Sequence, residues 1–249
     1  MLEMMLAGKL TPPVTPGQVE YKVAGVYSWI VPENVSQISA VAIGTGSQTV
    51  VISGAAHYGQ GGALRWLNNI PVTPGETLTI TVTAPSAVLT GQSVNASPTQ
   101  YPGGNTSIKR GSAVLLQAAG GQTSTGGKTA QAAACVNGSG GLGGFYAGGS
   151  SSGWPGGGTG GYYADGGGTT SSDSSAGIAG TITSAGVGSN GTGASLYGSN
   201  VTGTKYGYGG GASQAQTTPY YCTYNAPGIG AVRIIWGTNR SYPTAAANV

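Results

Sequence analysis

Charged residues are scarce in this sequence. Lys, Arg, Asp and Glu together make up 6% of its 249 residues, against roughly a quarter in an average soluble domain. The net charge of +3 is small and scattered. Nucleic-acid binders gather Lys and Arg into runs or onto one face. The one adjacent basic pair here is Lys109-Arg110, beside a turn glycine, so nucleic acid is excluded as the main partner. Long apolar runs are also missing. No stretch nears the roughly 18 residues of a membrane-spanning helix. The opening MLEMMLAGKL is interrupted by Glu3 and lacks the leading basic residue of a signal peptide.

Catalytic chemistry is equally thin. The six acidic residues are Glu3, Glu20, Glu33, Glu76, Asp165 and Asp173, and none makes a close pair for general acid–base work. The single histidine, His57, has no nucleophile elbow near it and reads as a loop residue beside Tyr58 and Gly59. His57, Cys135 and Cys222 lack metal-ligand spacing. GGKT at Gly126–Thr129 lacks the upstream glycine of a phosphate loop, at Gln122, and no helix is expected after it. The expectation is a protein with no catalytic residues, metal or cofactor. Two cysteines make no disulfide framework, and a bonded pair and two free thiols both stand.

What the chain has instead is glycine, 49 residues of it, with 14 Tyr and 4 Trp. Disordered chains are poor in aromatic and β-branched residues, so this mixture points to packed, extended structure. Residues 1–18 read as an attachment segment and linker, because three prolines between Pro12 and Pro16 forbid a helix. A β core is expected over 19–119. Its strands fall at Val19–Val23, Val26–Val31, Ser36–Ile43, Thr49–Ser53, Ala63–Leu67 and Thr77–Thr83. A hairpin follows around Arg110-Gly111. Thr77–Thr83 alternates most cleanly, and Pro74-Gly75 before it is placed as in a type II turn.

From 120 to 211 the chain is Gly, Ser, Thr, Ala, Asn and Tyr, with glycine clusters at irregular spacing, which excludes collagen. A structureless loop of that length inside a domain is improbable. A bundle of extended polyglycine-type helices, three residues per turn, is the preferred reading over a flexible linker. Residues 212–249 read as a loop and a strand, GAVRIIWG at Gly230–Gly237, which returns to the N-terminal sheet. The fold class expected is all-β: an antiparallel sandwich-like core closed by the C-terminal strand, carrying a glycine-rich excursion. Trp29, Trp66, Ile80, Val82, Ile234 and Trp236 are the expected core.

The segments YSWIVPENVSQISAVAIG (Tyr27–Gly44), GGALRWLNNIPVTPGETLTITV (Gly61–Val82) and GAVRIIWG with NRSYP (Gly230–Pro243) resemble a glycine-rich module of bacteriophage virion proteins. That module is most familiar in tail fibres of phages of cyanobacteria and other aquatic bacteria. The glycine-rich middle is similar in composition to the distal tail-fibre adhesins of T-even-like phages, which carry stacked polyglycine-type helices. The resemblance implies a component of the virion surface, assembled with other virion proteins and itself a homo-oligomer, with a trimer expected. Aromatics on loops supply contact area for receptors, and small polar residues supply adaptable hydrogen bonds. Tyr146, Trp154, Tyr162, Tyr163, Tyr206, Tyr208 and Tyr221 are therefore the candidate receptor contacts. The other reading of each is a seam-filling ring between glycine segments. Two functions follow: an adhesin for a host surface glycan or outer-membrane protein, and a structural virion protein such as a fibre shaft, capsid decoration or connector.

Overall fold

Alternation of threonine with aliphatic residues makes Thr77–Val82 a strand in the simplest way, with Leu78, Ile80 and Val82 buried on one face. The computed structural model describes residues 13–50, 59–86, 91–94, 99–123, 127–144, 156–167, 196–197, 208–211, 214–218, 221–224 and 226–246. In chain order the strands of the two main sheets are β1 (Gly17–Tyr21), β2 (Gly25–Ile30), β3 (Gln37–Ile43), β5 (Leu64–Pro71), β6 (Thr77–Val82), β9 (Thr106–Arg110), β10 (Ala113–Ala118) and β13 (Ala231–Trp236). One sheet has the order β1-β13-β3-β5 and the other β10-β9-β6-β2, all antiparallel. The strand nearest the C-terminus thus enters the first sheet between β1 and β3.

The turns obey local chemistry. Gly75 has φ +80°, and Glu76 N–H donates to Thr73 O at 3.0 Å, so Thr73–Glu76 is a type II turn with proline at its second place. Gly111, at φ +55°, is the first of two residues joining β9 to β10, the position where a two-residue hairpin needs glycine.

The sheets sandwich one core, to which Trp29, Ile38, Ala40, Leu78, Ile80, Val82, Ile108, Leu116, Val232 and Ile234 contribute. A second core covers the far face of the first sheet. There Val41, Ile43, Leu64 and Ile235 meet Tyr162, Leu196, Tyr242 and Ala246. Burial on both faces explains the unbroken run Ile38–Ile43, where alternation vanishes. Of the expected core, Trp29, Ile80, Val82 and Ile234 are buried. Trp66 and Trp236 are only half-buried. Trp66 lies on the edge strand β5, and Trp236 ends β13, its ring over Gly17 and 5.6 Å from the Trp29 ring.

Four short strands and one helix were not expected from the pattern. β8 (Thr99–Tyr101) pairs with β4 (Gln48–Val50), which overlaps the strand expected at Thr49–Ser53. β7 (Gly91–Val94) pairs with β12 (Tyr221–Tyr224), which pairs with β11 (Gln214–Thr218). The segment read as a C-terminal loop therefore contains a hairpin. GQSV, TQY, QAQTT and YCTY carry no apolar alternation, the main signal for a strand. Helix α1 (Gly127–Ala134) overturns the expectation that no helix follows GGKT. Its GKTAQAAA is rich in alanine, the best helix former, but eight residues are too few to display a period.

Beside the sandwich, the described glycine segments form rows of extended chain. Several continue sandwich strands directly: 44–47 extends β3, 59–63 leads into β5, 119–122 extends β10 and 228–230 leads into β13. Rows 141–144, 156–161, 165–167 and 209–211 pack beside them. Row 59–63 reveals the geometry. The N–H groups of Gly61, Gly62, Ala63 and Leu64 donate to Gly144, Gly209, Ala119 and Gly141 in turn. Residues 61 and 64 thus address one row. The carbonyls of residues 59 and 62 accept from Gly157 and Gly160, and those of 60 and 63 from Ser47 and Gly44. A return every third residue is the period of an extended polyglycine-type helix. The remaining direction, at Gly61 O, is filled by the Gln131 side chain of α1, which donates to it at 2.8 Å. Gln131 is fully buried. It also donates to Gly120 O and accepts from Gly143 N and Gln60 Nε2, so its amide is saturated.

Candidate functional site

Three of the four described carboxylates are tied to cations. Glu76 takes a two-pronged contact from Arg110, at 2.8 and 2.9 Å, which joins the type II turn to the β9–β10 hairpin. Its carboxyl is held below the ordinary range by that hydrogen bond. Asp165 pairs with Lys128 at 3.0 Å. Glu20 pairs with Lys22 at 2.8 Å and approaches the buried Arg233 at 3.4 Å. Burial raises the Glu20 pKa, but hydrogen bonds from Lys22 and Tyr197 and the charges of Lys22 and Arg233 outweigh it, and the net shift is downward. Cys135 is a free thiol whose pKa is pushed up by burial. Among the described residues, no three His, Cys, Asp or Glu side chains are grouped to hold a metal ion.

The candidate receptor contacts divide. Tyr146, Trp154 and Tyr206 lie outside the described residues, and Tyr221 is described only as backbone of β12. Tyr162 is corrected to a packing residue. It is 5% exposed, lies in the second core and stacks on Tyr242 with ring centroids 5.9 Å apart. Tyr208 is half-buried and packs on the same core. Tyr163 is exposed, at 47%. The chain bends at Tyr162–Ala164, and of the Tyr162-Tyr163 pair one ring goes in and the other out.

The Tyr163 loop is held from several sides. Gly161 N–H donates to Ala164 O at 2.8 Å across its base. Trp66 Nε1 donates to Tyr162 O at 3.0 Å. Asp165 accepts from Leu142 N–H at 2.8 Å through one oxygen and meets Lys128 through the other. The result is an outward tyrosine near an exposed ion pair, on a base of backbone hydrogen bonds. Lys128 escaped the sequence reading, because only the folded chain brings α1 beside residue 165.

A concavity of about 290 Å³ opens where the C-terminal loop meets the β3–β5 bulge. Gln37, Ser39, Asn69, Asn239 and Arg240 line it. Asn69 and Asn239 both have left-handed backbones, φ 56° and 61°, a conformation asparagine tolerates better than most residues. Arg240 donates to Gly17 O and to Gln18 Oε1, which ties this loop to the start of β1.

The site and fold together define an all-β sandwich whose strands run into a glycine bundle bearing polar–aromatic loops. No protein-family model matches this chain, and no curated protein matches it in sequence.

Proposed function

We propose that this protein is a non-enzymatic surface component of a bacteriophage virion, a tail-fibre or tail-tip adhesin. In this reading it assembles as a homo-oligomer with other virion proteins and grips a host surface glycan or outer-membrane protein through loops on the glycine bundle. The observation that supports it is Tyr163, an exposed ring on a loop closed by backbone hydrogen bonds and flanked by the Lys128–Asp165 pair. A loop already ordered loses little entropy on binding, and tyrosine is among the residues that dominate interfaces.

The test is binding of the purified protein to a panel of intact host cells, with and without their surface glycans. Saturable binding is expected. Tyr163→Ala should weaken it at least tenfold, about 1.4 kcal/mol, with an unchanged melting temperature. Equal binding by the variant rejects Tyr163 as the contact. The structural reading, a shaft, decoration or connector, is favoured by Tyr162 and Tyr208, whose rings pack on the second core. Absence of binding to the true host by folded protein would select that reading.

A further inference from the structure

We infer that the free edge of β2 is an interface at which two copies of this chain pair antiparallel, through a twofold axis at Ser28, to form one continuous eight-stranded sheet.

The reasoning begins with the four outer edges of the two sheets. Exposed edges attract other strands, and proteins blunt them with charge, bulges or cover. The segment after α1 covers two of them, since Ser139 bridges to Trp66 of β5 and Val136 to Gln117 of β10. Both strands are also bulged. β1 carries Glu20, with Lys22 just beyond it. β2, GVYSWI, has no charge, no proline and no bulge, and among the described residues nothing pairs with its outer side.

What that edge presents is self-complementary. Val31 exchanges bonds with the β6 side, donating to Glu76 O and accepting from Gly75 N–H. Alternation along an antiparallel pair then turns Gly25, Tyr27 and Trp29 toward β6. The N–H and C=O groups of Val26, Ser28 and Ile30 point to the open side. A twofold axis at Ser28 sets Ser28 opposite its copy and Val26 opposite Ile30. Every outward-pointing group then meets another, in about six backbone hydrogen bonds. Val26 is 72% exposed and Ile30 64%. They are two of the most exposed large apolar residues described, and in this register each covers the other across strands.

Charge agrees with the same occupant. The antiparallel arrangement brings the β1–β2 turn of one copy beside the β2–β3 turn of the other. The first carries exposed Lys22, which also pairs with Glu20 of its own chain, and the second carries exposed Glu33. The contact is made twice, once at each end. An isologous pairing of this kind closes at two copies, so it gives a dimer where the resemblance implies a trimer. The inference does not depend on receptor binding.

The test uses the full chain, with Cys135 and Cys222 replaced by serine. Sedimentation across a concentration series should show reversible dimers. Val26→Lys with Ile30→Lys, both at outward positions, should leave the fold unchanged by circular dichroism and the protein monomeric. Register is read by oxidative cross-linking. Facing hydrogen-bonded residues have Cα atoms about 5.5 Å apart, inside the disulfide range of about 4.4–6.8 Å. Ser28→Cys should cross-link to itself, and Val26→Cys or Ile30→Cys alone should not. The double variant Val26→Cys/Ile30→Cys should. A parent that stays monomeric at every concentration overturns the proposal. So does a lysine variant that still dimerises, or a Ser28→Cys dimer that does not cross-link.

Discussion

Arg233 shows how much one side chain can hold in a chain with so little charge. It is fully buried on β13 and donates to Leu196 O, Ala246 O and Gln18 Oε1, with its guanidinium 4.6 Å from the centre of the Tyr197 ring. Those partners come from the first strand, the glycine-rich region and the last described turn. Removal of one member of a buried ionic network costs about 3–5 kcal/mol. Arg110 holds Glu76 with better geometry but in solvent, where such pairs contribute less than about 1 kcal/mol. Arg233→Ala should therefore melt far below the parent and Arg110→Ala close to it. Similar losses for both would show that burial is not what gives Arg233 its weight. The sequence displayed Arg233 only as the odd residue in GAVRIIWG. Its partners lie 215 residues away in the chain for Gln18 and 37 for Leu196, and no local pattern reports them.

At the scale of elements, strands and glycine rows follow different rules. A strand tolerates side chains on both faces, whereas a row inside the bundle has a neighbour in every direction. At Gly157 an added Cβ would sit 2.0 Å from Gly144 O, a backbone atom that cannot step aside. At Gly111 an added Cβ meets nothing, and only the left-handed backbone resists it, at about 1–2 kcal/mol. Gly157→Ala should thus destabilise more than Gly111→Ala in denaturant unfolding. The reverse order would mean that the rows are loosely packed. This contrast also marks what the sequence could tell. Leu78, Ile80 and Val82, or the Pro74-Gly75 turn, announce themselves through period and turn chemistry. β7, β8, β11 and β12 do not, because their pairing rests on main-chain groups that every residue carries. For the same reason the described glycine rows are legible in the composition only as a class, not row by row. At the candidate site, one glance at Tyr162-Tyr163 cannot say which ring faces out; the second core decides it.

For the molecule as a whole, the composition change near residue 120 is not a break in the hydrogen bonding. Rows 44–47 and 59–63, from the earlier part of the chain, lie among rows from the later part. Sandwich and bundle share strands that pass from one into the other, so they should unfold together. Hydrogen exchange is the direct check. The amides of Gly61, Gly62 and Ala63 should exchange as slowly as those of β3 and β13, in one cooperative unit. Fast exchange in the row beside slow exchange in the strands would divide the molecule in two.

The saturated amide of Gln131 has a consequence of another kind. Many bonds around row 59–63 join main chain to main chain and are indifferent to spelling; the buried side chains of Ser47, Gln60 and Gln131 are where the lattice names a residue. Two proteins of this build can therefore share each row and its place while differing at nearly every letter between rows. Kinship among them is to be sought in the rhythm of the glycines and in a pair of bonded glutamines, one in a row and one on a short alanine helix, rather than in percentage identity.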